Sequence, residues 1–91
     1  MPEFVIEKDM IGLGKLAPEV QQQTAQQSCS ALHNIAPGIE WIQSYLTENK
    51  VYCVYRAPNE QILREYIEKT GAQVVSICEV HNIIRPTAPG S

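Results

Sequence analysis

Residues Ile39–Ala57 read IEWIQSYLTENKVYCVYRA, and the folding of this stretch decides the architecture. Two runs, IEWIQSYLT and VYCVYRA, are dominated by β-branched and aromatic residues, whose side chains suit a pleated, half-buried surface. Between them stands a short polar turn, Glu48-Asn49-Lys50, in which Asn49 tolerates a left-handed backbone. The pattern predicts a β-hairpin.

Working outward, Pro58 and Asn59 open a second helix. Its Ile62, Leu63, Tyr66 and Ile67 form an apolar stripe, and Glu60/Arg64 and Glu65/Lys69 pair at four-residue spacing. Gly71 is the expected stop, and a last strand runs from about Gln73 to Ile84. Upstream of the hairpin, Glu3 to Lys8 alternates as a strand with Phe4 and Ile6 on one face. The loop IGLGKLAP then leads to Pro18, well suited to a helix's first turn, with Glu19 near the positive end of the dipole. From Glu19 to about Ile35, Val20, Thr24, Ala25, Ser28, Leu32 and Ile35 recur at helical spacing, and Pro37-Gly38 ends the helix.

The order strand, helix, strand, strand, helix, strand is the split βαβ arrangement of ferredoxin-like domains: an α+β fold, βαββαβ, with a four-stranded antiparallel sheet and two helices on one face. A single domain over 1–85 and a flexible tail over 86–91 follow. At 91 residues, roughly 60 to 65 per cent of the unfolded chain's surface can be buried, which leaves a thin margin of stability that a partner subunit would widen.

Alternation along the strands sorts the side chains into two sets. Ile42, Ser44, Leu46, Tyr52, Val54, Val74, Ser76, Cys78 and Val80 are mostly small or aliphatic and suit packing under helices. The other set holds Trp41, Gln43 and Tyr45, then Val51, Cys53 and Tyr55, then Ile77, Glu79, His81 and Ile83. Contiguous exposed apolar patches mark interaction sites, so this second face is expected to be roofed by another copy of the chain. Two sheets packed in that way form a dimeric α+β barrel, with a cavity lined by Trp41, Tyr45, Cys53, Tyr55, Glu79 and His81.

The stretch ICEVHNI, residues 77–83, raises the question of a metal site. Alternation sends Cys78 away from Glu79 and His81, so only the last two share a face, either as an interface hydrogen-bond pair or as metal ligands. His33 reads as a residue favoured by a helix's C-terminal end. Cysteines 29, 53 and 78 are odd in number and widely spread, unlike a disulfide framework or a zinc cluster, and read as reduced thiols.

Net charge is −3 and the seven basic residues are scattered, which gives no electrostatic footprint for nucleic acid or anionic membrane. No apolar run approaches the roughly 20 residues of a membrane span, and the charged start MPEFVIEKDM lacks a signal peptide's apolar centre; a cytoplasmic protein is expected.

MPEFVIEK, the GLGKL loop, SYLTENKVYCVYRAPNEQILREYIEKTG and the EVHNIIRPT strand together resemble a family of small bacterial proteins whose characterised representative is a nickel-binding, nickel-responsive actinobacterial protein. The likeness runs from Met1 to about Thr87. It implies a ferredoxin-like fold, a homodimer, and binding of divalent nickel by exposed side chains. Two positions depart from the family pattern: Tyr66 stands where members usually carry histidine, and Arg85 where they carry an acid. A neutral phenol is a poor nickel ligand, so His33 and His81 are the imidazoles left to bind the metal.

Three functions are compatible with these residues. The first is a non-enzymatic homodimer that binds nickel through His81 with Glu79. The second is a cofactor-independent monooxygenase or isomerase, with Glu79 or His81 as base, Trp41 and Tyr45 holding a planar substrate and Tyr55 donating to an oxyanion. The third is a dimeric stress or regulatory protein whose polar face serves assembly alone. No nucleotide loop or hydrolase elbow is present.

Overall fold

In the computed structural model of the protein, the described residues are 1–71 and 73–87. The elements are β1 (Glu3–Asp9), a 3₁₀ turn (Leu13–Lys15), α1 (Pro18–Ile35), β2 (Glu40–Leu46), β3 (Lys50–Arg56), α2 (Glu60–Thr70) and β4 (Val74–Glu79). The four strands form one antiparallel sheet in the order β2-β3-β1-β4. This is the ferredoxin-like α+β arrangement that the element order predicts. The expected tail at 86–91 falls largely on residues 88–91, which lie outside the described residues.

The hairpin forms as the sequence suggests, but its turn works differently. No described residue other than glycine has positive φ, so Asn49 is not left-handed. It ties down the loop before α1 instead: its carbonyl accepts from Met10 N–H at 2.9 Å and its side-chain oxygen from Gly12 N–H at 3.3 Å. The loop comes so close that a Cβ on Gly14 would overlap the Thr47 carbonyl and lie 2.8 Å from Glu48 Cα.

Cross-strand register settles which face the helices cover. Phe4 stands opposite Tyr55, Ile6 opposite Cys53 and opposite Ile77, and Lys8 opposite Val51. Phe4, Ile6, Val51, Cys53 and Tyr55 are all buried, in one cluster with Leu32 of α1 and Leu63 and Ile67 of α2. The helices therefore cover the face that carries Trp41, Cys53 and Tyr55. The expectation that a second subunit roofs this face is corrected: the roof is the chain's own α1 and α2. Alternation groups residues by face but does not say which face is covered. Phe4 and Ile6, the largest apolar residues of the central strand β1, decide it.

Two irregularities also break the expected sets. Between Trp41 and Gln43 the register of β2 shifts, so Trp41 stands opposite Tyr55 and Ser44 opposite Cys53, while Gln43 meets Val54 and Tyr45 meets Tyr52. Trp41 and Ser44 thus face the helices, and Gln43 and Tyr45 the open side. A second shift lies in β4, where Glu7 pairs with Ser76 and Lys8 with Val74.

The open face carries Val5, Tyr52, Val54, Tyr45 and Cys78 between two ion-pair groups. Lys50 meets Glu7 at 2.7 Å and Asp9 at 3.2 Å; Arg56 meets Glu3 at 3.1 Å and Glu40 at 3.4 Å. The hydrogen bonds to Glu7 and Asp9 hold the Lys50 ammonium well above the usual lysine range.

The strand expected to reach Ile84 ends at Glu79. Val80 N–H still donates to the Glu3 carbonyl at 2.8 Å, but β1 begins at Glu3, and Pro2 before it has no N–H to extend the ladder and turns its carbonyl to Ala57 N–H. Without a ladder partner the chain leaves the sheet.

Candidate functional site

The two helices treat the sheet differently, and the candidate site is the result. In α2, Asn59 Oδ1 accepts the Ile62 N–H at 2.9 Å, Gly71 closes the helix at φ 70°, and Leu63 and Ile67 are buried. The helix is pulled onto the sheet along its length. In α1, Ala17 at the N-cap has no side chain to accept a hydrogen bond, and the first half is rich in glutamine. Only towards its end does Leu32 reach the core, and Val20 stays 45% exposed.

Under that raised half lies a cavity of about 770 Å³, within the range of small-molecule pockets. Its floor is the sheet, with Trp41, Ser44, Cys53 and Tyr55; its roof is Pro18 to Cys29; Tyr66 of α2 closes one side and Lys8 of β1 reaches in. Trp41 and Tyr55 stack with ring centroids 6.1 Å apart and planes 23° apart, and Tyr66 tilts against Tyr55 at 6.4 Å. Trp41 Nε1–H donates to Ser44 Oγ at 2.8 Å, and the Ser44 hydroxyl donates to Cys53 Sγ at 3.0 Å. This short chain holds the indole flat against the floor.

The two phenols are electrostatically quiet. Burial raises the Tyr55 hydroxyl far above the ordinary tyrosine value and, to a smaller degree, that of Tyr66 as well, so both are neutral donors at physiological pH. Among the described residues neither hydroxyl has a hydrogen-bond partner, and no buried side-chain polar atom is unpaired. Neither oxygen is fully sealed from solvent, and both residues line the cavity, Tyr55 being buried and Tyr66 half-buried. Lys8 Nζ lies 6.0 Å from the Tyr55 ring centroid.

Of the candidate ligand-binding residues, Trp41, Cys53 and Tyr55 line this cavity, while Tyr45 stands on the opposite face, 57% exposed, where Gln43 hydrogen-bonds its hydroxyl. The register shift in β2 separates Tyr45 from Trp41. Glu79 and His81 also lie away from the cavity, so the base and the aromatic platform of an enzyme of the monooxygenase or isomerase type are not brought together. The sequence reading missed Lys8, Ser44 and Tyr66 as cavity residues. Lys8 was visible as the third member of the Phe4, Ile6, Lys8 alternation, and Tyr66 as part of the α2 stripe.

The candidate metal ligands form a separate, exposed pair at the end of β4, Glu79 being its last residue. His81 Nε2 and Glu79 Oε2 are 3.7 Å apart, with side chains 85% and 49% exposed. Cys78 stands opposite Val5 on the open face, away from them. Among the described residues no group of three His, Cys, Asp or Glu could hold a metal ion. An imidazole nitrogen and a carboxylate oxygen suit a borderline divalent cation, but as two ligands in a sphere that water must complete. His33 and Cys29, four residues apart on α1, are also exposed and share a shallower depression near Pro37.

Residues 4–80 match the family described as nickel responsive protein, SCO4226-like. The chain belongs to that family. In the crystal structure of SCO4226 from Streptomyces coelicolor A3(2), the superposition covers 90% of this chain and 99% of that one with a TM-score of 0.68 at 19% sequence identity, so the likeness of structures speaks for the fold. No curated protein matches. Among the described residues no helix is long and apolar enough to cross a membrane.

Proposed function

We propose that this member of the nickel responsive family binds divalent nickel, without catalysis, through His81 and Glu79, and that it does so as a homodimer. The observation that carries the reading is the approach of His81 Nε2 to Glu79 Oε2 at 3.7 Å on the free end of β4, the closest imidazole–carboxylate pairing among the described residues. When bound, the metal would supply a Lewis-acidic charge at that end of the strand. His81 would give a nitrogen ligand and Glu79 an oxygen ligand, with water in the remaining positions. Such a site is weak, and because a proton competes for the imidazole, it weakens further on acidification.

Calorimetric titration of the metal-free protein with nickel chloride is the test. Saturable heat that is lost in His81→Ala and reduced in Glu79→Gln is expected. No heat above buffer, binding unchanged in His81→Ala, or binding lost in His33→Ala alone would overturn the assignment.

In the homodimer the second copy would sit on the open face of the sheet. Val5, Tyr52 and Val54 are half-buried there, and Tyr45 is exposed between the two ion-pair groups. A second copy would cover an apolar strip flanked by charges of both signs. Sedimentation as a single chain at high concentration would remove it.

A further inference from the structure

We infer that the cavity beneath α1 is a binding site for a planar aromatic carboxylate, distinct from the metal-binding end of β4. Three features on its walls converge on that class. The floor offers a ready platform, since Trp41 and Tyr55 already lie stacked with planes 23° apart and the indole is fixed through Ser44. Tyr55 is buried and Trp41 only half-buried, so a flat ring laid against the indole extends the stack. The Tyr55 and Tyr66 hydroxyls, neutral and without protein partners among the described residues, can each donate to a ligand oxygen.

The charge is what narrows the class. Lys8 is the one charged side chain lining the cavity among the described residues, and no carboxylate accompanies it there. By contrast Lys15, Lys50, Arg56 and Arg64 all sit in ion pairs. A single unpaired ammonium beside an aromatic floor, in a chain of net charge −3, suits a single negative charge on an aromatic body. A phosphate would ask for more donors than one ammonium and two phenols, and a cation would meet Lys8 with no acid to offset it. The volume of about 770 Å³ accommodates two or three fused rings.

The test uses 2-naphthoate as probe and its neutral isostere 2-naphthamide as control, in metal-free buffer so that the outcome is independent of nickel. The chain has one tryptophan, so its indole N–H gives a single, assignable cross-peak in a nitrogen-15 correlation spectrum. Saturable movement of that peak by naphthoate is expected, with binding weaker by about tenfold for naphthamide and for Lys8→Met, and retained in Lys8→Arg. The isostere comparison on the wild-type chain stands even if Lys8→Met fails to fold. Absence of saturable movement up to about 1 mM naphthoate, or equal binding of acid and amide, overturns the inference.

Discussion

The two helices lie over the same face of the same sheet, and they hold it by different means. α2, with eleven residues, has a side-chain cap, a left-handed glycine stop, an Arg64–Glu60 ion pair at 2.8 Å and two buried anchors, Leu63 and Ile67. α1, with eighteen, has an uncapped start, a glutamine-rich first half and a buried anchor, Leu32, near the far end. Helical stability in a protein comes mostly from packing an apolar face. The shorter helix is therefore the structural one, and the longer is free to stand off the sheet and leave a cavity. In a domain this small, with little margin to spare, anchoring and binding have been divided between two elements.

That contrast can be broken most forcefully at its strongest point. Leu63→Ala should lower unfolding free energy by about 3 kcal/mol, because Leu63 is fully buried and its removal leaves a void between α2 and the sheet. Urea titration measures it. Next in size is the alkaline limb of the stability curve. Tyr55 has a folded-state pKa raised from 10.0, chiefly by burial, so its contribution is complete below that value and drains away as pH rises above it. Lys50 acts in the same direction from 10.5, through its hydrogen bonds to Glu7 and Asp9. Stability should thus fall above about pH 10, and Tyr55→Phe should flatten that fall when melting is followed against pH.

The caps sharpen the comparison further. Asn59→Ala should cost about 1 kcal/mol by removing the acceptor for Ile62 N–H, whereas Ala17→Ser, which gives α1 the cap it lacks, should gain at most about the same. The smallest effect is expected from Val20→Ala in the raised half of α1, within about 0.5 kcal/mol by the same titration. A Val20 effect as large as that of Leu63 would mean that α1 is seated on the sheet after all.

Much of this was legible in the sequence, and the parts that were not share one cause. The elements followed from local signals: Pro18 and Asn59 opening helices, Pro37-Gly38 and Gly71 closing them, and the alternation around Glu48-Asn49-Lys50. What no local signal carries is register. Whether Cys53 and Tyr55 face helices or solvent depends on Phe4 and Ile6 standing opposite them some fifty positions away. The shift near Ile42, which sends Trp41 and Tyr45 to opposite faces, is likewise a property of the β2–β3 ladder. The end of β4 at Glu79 depends on where β1 begins. The sequence grouped Trp41 and Tyr55 with Tyr45 on one face, but that Tyr45 leaves the group and Lys8 and Tyr66 join it shows only when the register is known.

The assignment of faces carries both the cavity and the open surface, and the three cysteines report on it directly. Cys53 is buried under the helices, while Cys29 on α1 and Cys78 on the open face are exposed. Thiol labelling followed by mass spectrometry, repeated over a range of protein concentrations, should show Cys29 reacting fast, Cys53 slowly at every concentration, and Cys78 becoming protected as the concentration rises. Labelling of Cys53 that quickens on dilution, with Cys78 indifferent, would place the partner on the aromatic face and contradict the arrangement.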